Sequence, residues 1–237
     1  MGNLLTVTDI QNFAPELDLS AYSATTISGM ISQAQSRAAS FCSVTGFELA
    51  QETNERGRAL IDNTGTLIIS VRRKPIVSVA SITLEKGGFS TALTLNGSNN
   101  SPMYQVPYPG NRIHFPNSYF YATGTYLAGG STQLLSLKGA KLFYNITYSG
   151  GYDPLAAQNT NWNFPTTAPA VPDDLKLALI DYFRDIWSKR NNPAGLSGFT
   201  QGSYQEQYSS NAEGKSRIIQ EAEDLLMNGD YNRVEIF

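Results

Sequence analysis

The residues of this chain that could do chemistry are few and scattered. His114 is its one histidine and Cys42 its one cysteine. A zinc-type site needs several histidine, cysteine or carboxylate ligands close together. No carboxylate lies within twenty residues of His114 in the sequence, so it reads as a packed or surface histidine. Cys42 falls on an apolar helical stripe and reads as a small buried hydrophobe rather than a nucleophile. The nearest approaches to an acid/base pair are Glu52 with Glu55 and Asp173 with Asp174. The first pair reads as a solvated loop and the second as helix-start electrostatics. The cluster Arg72-Arg73-Lys74 is the one local hint of phosphate contact, although such a cluster at a strand junction also suits pairing with acids. No nucleophile elbow, phosphate loop, dinucleotide fingerprint or His-Glu-x-x-His motif occurs. The chain is therefore expected not to be an enzyme, and to bind no metal and no cofactor.

Composition sets the bounds. The chain has 237 residues, 41% of them hydrophobic and 16% charged, with a net charge of −3. This length suits one large domain, or one domain with an insertion, with a real core. Electrostatics do not favour the whole chain as a nucleic-acid binder, because such domains are usually basic. One cysteine allows no disulfide within the chain. The start, Met1 to Leu5, lacks the basic and apolar regions of a signal peptide, and its Met-Gly-x-x-x-Thr pattern is read as chance. No run of about 18 apolar residues offers a membrane span.

The elements that would position these residues follow from periodicity. Ile27, Met30, Ile31, Ala34, Ala38, Phe41, Cys42 and Thr45 recur at helical steps and predict a helix over about 25–45, capped by Gly46. Thr66–Val71 and Ile76–Leu84 read as strands on either side of Pro75, which is expected to begin the second strand and not to lie inside one. Asn63-Thr64-Gly65 is a turn, and Lys141–Tyr148 is another strand. Between them, 87–137 carries a single formal charge, Arg112, among many glycines, prolines and aromatics. It reads as short strands and turns forming a small β subdomain. Pro172, Asp173 and Asp174 open a second helix over 172–190, with Leu175, Ala178, Leu179, Tyr182, Phe183, Ile186 and Trp187 on its apolar face. An extended arm (194–211), a closing helix (213–227) and an apolar tail complete the chain.

The order of the motifs carries a resemblance. Leu5–Ile10, Phe41-Cys42-Ser43-Val44-Thr45-Gly46-Phe47, Arg73-Lys74-Pro75-Ile76-Val77-Ser78-Val79-Ala80-Ser81-Ile82, Ile146-Thr147-Tyr148-Ser149-Gly150-Gly151-Tyr152 and Val171-Pro172-Asp173-Asp174-Leu175-Lys176-Leu177-Ala178-Leu179 resemble, in sequence order, the head–tail connector (adaptor) proteins of tailed bacteriophages. Gly195–Tyr208 resembles the arm of that family, and Ile218–Met227 its closing helix. The segment 87–137 is longer than the family's usual connection.

The resemblance implies an α+β fold: a small helical bundle (about 25–45, 172–190 and 213–227) packed with strands, plus a β-rich insertion. Residues 1–86 and 139–192 would form the connector core, 87–138 the insertion, and 193–237 the arm, closing helix and docking tail. It also implies a structural virion protein, assembled in the bacterial host cytoplasm and sited in the neck. About twelve copies would form a ring under a dodecameric portal. The expected partners are further copies of the chain, the portal, a downstream tail or neck protein, and double-stranded DNA that passes without specific binding; no membrane is involved. Candidate interface residues are Phe199, Tyr204, Tyr208, Tyr231, Ile236 and Phe237, because hot spots favour large apolar anchors, with Arg72, Arg73 and Lys74. Two alternatives stay open: another neck or tail component, such as a tail terminator or completion protein, and a carbohydrate-binding module built on the tyrosine-rich middle.

Overall fold

Ser23 starts the long first-half helix, because its hydroxyl accepts the Thr26 amide and satisfies one of the helix's free N–H groups. The helix runs Ala24–Phe41 and is the second of the four α-helices among the described residues of a computed structural model of the chain. Residues 3–86, 88–93, 112–116, 141–156, 168–191, 198–201, 204–207, 216–229 and 231 are described. The helices are α1 Val7–Phe13, α2 Ala24–Phe41, α3 Asp173–Asn191 and α4 Arg217–Asn228. The strands are β1 Ala50–Ile61, β2 Leu67–Ser70, β3 Ile76–Lys86, β4 Phe89–Leu93, β5 Arg112–Phe115, β6 Leu142–Gly150, β7 Gly198–Gln201 and β8 Tyr204–Gln207. The fold class is mixed α+β. No described helix is long and apolar enough to cross a membrane.

The chain divides into two compact units. One, Met1–Glu48, Asp153–Ala156 and Ala170–Asn232, contains the four helices; the other, Leu49–Tyr152, Ala157–Pro169 and Arg233–Phe237, contains the sheet. The expectation had been a single core of helices packed with strands.

In the helical unit, α3 packs against both α2 and α4. Their seam is apolar: Ile27, Ile31, Ala34 and Ala38 from α2, Leu175, Leu179 and Phe183 from α3, and Ala222 and Leu226 from α4 are all buried. A polar hub crosses it. Asp185, 1% exposed, lies 3.0 Å from Arg37 of α2 and 2.7 Å from Lys189, and it accepts from the hydroxyl of Ser216, the α4 N-cap, at 3.4 Å. The short α1 is closed by a reciprocal capping box between Thr6 and Asp9. It is tied to α3 by Asp9–Lys176 (3.4 Å), and Glu16 just beyond it by an ion pair to Arg184 (2.9 Å).

The expected Gly46 cap is not the one used. α2 stops at Phe41 and Ser43 takes the left-handed conformation (φ 54°), with Ser43 N–H bonded to the Ser40 carbonyl and Val44 N–H to that of Ala39. This pair of bonds is a Schellman stop, and a serine fills the position that glycine usually takes. Pro172 sits one residue ahead of α3, its carbonyl accepting the Lys176 amide.

The sheet unit is a six-stranded antiparallel sheet in the order β4-β3-β6-β1-β2-β5. β1, absent from the sequence expectation, is its longest strand. It pairs with β6 over Ala50–Ala59 and with β2 through Leu60 and Ile61. The core is built by period-two alternation: Leu142, Tyr144, Ile146 and Tyr148 of β6 face inward with Ile82 and Leu84 of β3 and Ile113 and Phe115 of β5. Two stretches of the expected insertion are described, β4 and β5. Each joins one edge of this same sheet, so neither belongs to a separate subdomain. The rest of 87–138 lies outside the described residues.

Candidate functional site

Two sequence motifs far apart in the chain meet in the sheet unit. The loop Arg72–Pro75 enters β3 through a cis Lys74–Pro75 bond, and Tyr148 to Tyr152 ends β6. The Tyr148 hydroxyl accepts the Arg73 N–H at 2.8 Å and donates to Glu55 at 2.7 Å. The other Glu55 oxygen accepts the Arg72 N–H at 3.0 Å. The Arg73 guanidinium donates to Glu52 at 2.8 Å.

The backbone beyond Tyr148 closes the same junction. Gly150 pairs with Ile76, and a Cβ there would lie 2.9 Å from the Arg73 carbonyl oxygen and 3.0 Å from that of Pro75. Gly151, at φ 112°, donates its N–H to Pro75 at 2.9 Å. The glycine pair is thus explained by two separate needs: close backbone approach at the first glycine and a left-handed conformation at the second.

Glu52 and Glu55 lie on β1 and not in a solvated loop, which corrects the sequence expectation. Three residues apart on a regular strand, they would face opposite sides. Here the register slips between them: Glu52 pairs with Tyr148 and Glu55 with Ile146, with Asn54 at φ 55°. One extra residue in β1 turns both carboxylates to the same side.

The electrostatics are those of a structural clamp. Burial raises the Glu55 carboxyl above its ordinary value, against the opposing pull of the Tyr148 hydroxyl and the Arg72 amide. Burial and the facing Glu55 push the Tyr148 phenol far above the range in which it could ionise. A phenol that stays protonated and donates to a carboxylate holds a loop in place. No group of three or more potential metal ligands occurs among the described residues.

The expected interface residues fare differently. Of the basic cluster, Arg72 is exposed, whereas Arg73 and Lys74 are 5% and 3% exposed. The cluster therefore does not present three cations to a partner. Tyr231 is buried inside the helical unit. Its hydroxyl donates to Asp174 at 2.7 Å, and its ring meets that of Phe47 edge-on at 6.1 Å. Phe199 and Tyr204 lie on β7 and β8, which pair as a hairpin within the expected extended arm. Tyr208, Ile236 and Phe237 lie outside the described residues.

Cys42 is buried, as expected. His114 sits on β5 opposite Ile68, where burial first and the nearby Arg112 second hold its pKa below the usual histidine value, while Asp62 pulls the other way. Sequence reasoning missed Asp185, the β1 bulge and Asp174 as a tyrosine acceptor. The only sequence signal for Asp185 was an acid placed on an otherwise apolar helical face. No protein-family model matches the chain, and no curated protein is significantly similar to it.

Proposed function

We propose that the chain is a head–tail connector (adaptor) of a tailed bacteriophage: a non-enzymatic virion protein that forms a ring between portal and tail and continues the DNA channel. The resemblance rests on motifs in a fixed order. The observation that best supports it is that two of them, the Arg73–Ile82 motif and the Ile146–Tyr152 motif, form one junction joined by a hydrogen bond across 75 positions. Motifs that fold together have a physical reason to occur together. The helices fall at the positions the resemblance implies, within a few residues.

The closing helix is not a loose docking part. α4 and Tyr231 belong to the core of the helical unit, so deleting 213–237 should unfold that unit. On this reading, docking falls to surfaces outside that core.

The test is genetic. A phage lacking the chain should accumulate DNA-filled heads and separate tails that fail to join, and supplying the chain should restore complete particles. Tailed, infectious particles without the chain would refute the proposal. Joined particles with tails of abnormal length would move the assignment to a tail terminator.

A further inference from the structure

The two units carry opposite charge. The helical unit has 15 acidic and 7 basic residues, net −8, and the sheet unit 5 acidic and 10 basic, net +5. In a chain of net charge −3, this is a strong partition, and sign asymmetry of this kind governs association rather than fold.

Four of the sheet unit's cations, Arg56, Arg58, Lys86 and Lys141, lie on or beside the face opposite its core. β6 turns Tyr144 and Ile146 inward, so Phe143 and Asn145 face outward, and Phe143 stays 36% exposed. The register sets Arg58 and Glu85 on either side of Phe143, and Arg56 opposite Asn145. A cleft of about 460 Å³ lies there, lined by Arg56, Glu85, Lys86, Ser90, Lys141 and Phe143. Arg56 is engaged: its guanidinium lies 5.3 Å from the Phe143 ring centroid and 2.8 Å from Glu85. Arg58, Lys86 and Lys141 make no ion pair among the described residues.

The character of this face points to a protein surface and away from a phosphate backbone. Glu85 is fixed within the cleft by Arg56 and by Asn145 at 2.6 Å, so a phosphate entering there meets a like charge. An exposed aromatic ringed by unpaired cations suits a partner that brings carboxylates on a partly apolar surface. The helical unit is such a surface. α4 buries Ala222 and Leu226 and exposes Glu221, Asp224 and Met227.

We infer that the Phe143 face of the sheet unit docks on the acidic helical unit of a second copy, head to tail, with Arg58, Lys86 and Lys141 meeting carboxylates that include Glu221 and Asp224. Each copy carries one surface of each kind, so the contact repeats and closes when the rotation allows. The inference rests on the ring reading and names the contact between its subunits.

A charge swap tests it, on the full chain alone and on the portal. The wild type should associate at least about tenfold more weakly at high salt than at low salt, as for steered, rim-type charge contacts. Variant one carries Arg58→Glu, Lys86→Glu and Lys141→Glu; variant two carries Glu221→Lys and Asp224→Lys. Each alone should fail to associate, and a mixture should assemble, because each reversed face meets a complementary one. A milder pair, Lys86→Gln with Lys141→Gln, covers the case in which a reversal lowers the melting temperature, and it should still weaken association several-fold. Assembly of either reversed variant alone, salt-insensitive association, or a wild type that stays monomeric in both settings would overturn the inference. So would duplex DNA binding that variant one abolishes while self-association survives. Rescue by mixing without portal binding would keep this contact and remove the connector reading.

Discussion

The helical and sheet units solve the same problem, fixing a chain in one arrangement, by opposite means. The helical unit is apolar at its seams and places one buried carboxylate, Asp185, where α2, α3 and the start of α4 meet. The sheet unit has an apolar core and places its polar network at the margin, where Tyr148, Glu55, Glu52 and Arg73 tie a proline loop to the end of a strand. In the first, a polar group selects which helices pack together. In the second, polar groups fix the path of a connection that apolar packing alone would leave free. Buried polar groups specify structure only when their partners are in place.

The sharpest way to break this comparison is Tyr148→Phe. Nothing but a hydroxyl is lost, yet a partly buried carboxylate loses a donor and a buried amide loses its acceptor. The expected cost is about 2–3 kcal/mol, seen in denaturant as a shift of the sheet unit's transition with that of the helical unit unmoved. A cost near zero would show that the junction does not hold the loop.

Asp185→Asn comes next. Its partners Arg37 and Lys189 are 40% and 65% exposed, so water takes up much of the orphaned charge. The expected loss is about 1–2 kcal/mol, carried by the helical unit and reported by the fluorescence of Trp187, buried on α3. Equal shifts of both units from either substitution would dissolve the distinction between them.

Ser43→Gly should stabilise the helical unit by about 0.5–1 kcal/mol, because glycine holds the left-handed conformation without a Cβ penalty. Loss of stability would mean that the hydroxyl matters more than the backbone.

The smallest effect is one of pH. His114 has a lowered pKa in the fold, so the unfolded chain binds its proton more readily. Stability from this group is complete above the ordinary value of 6.5 and declines as pH falls below it. His114→Gln should flatten that decline in the sheet unit, and an unchanged profile would assign it to other groups.

The helices were legible because their signals are local. Three-and-four spacing predicted α3 to within a residue at each end and the start of α2, whose end at Phe41 falls four residues short of the expected 45, and the acids at 173 and 174 marked a true first turn. β3 was legible from alternation and β2 from its β-branched residues, and β6 was read as a strand as well. β1 was not. Its sequence, Ala-Gln-Glu-Thr-Asn-Glu-Arg-Gly-Arg-Ala-Leu-Ile, is polar for most of its length, because much of its inward face is polar side chains and a glycine. Gly57 in particular lies under the Tyr144 ring, where a Cβ would collide with the phenol. That choice makes sense only once its partner across the strands is known. The junction was hidden for the same reason. Arg73, Glu52 and Tyr148 each stood out in the sequence for a different reason, and only the β1 bulge brings them together.

The measurement that bears most directly on the account is native mass spectrometry of the full chain, alone and with the portal of its phage. The account predicts a ring near twelve subunits, formed alone or on the portal, that loosens as salt rises. A monomer or dimer that ignores the portal at every salt concentration would contradict it.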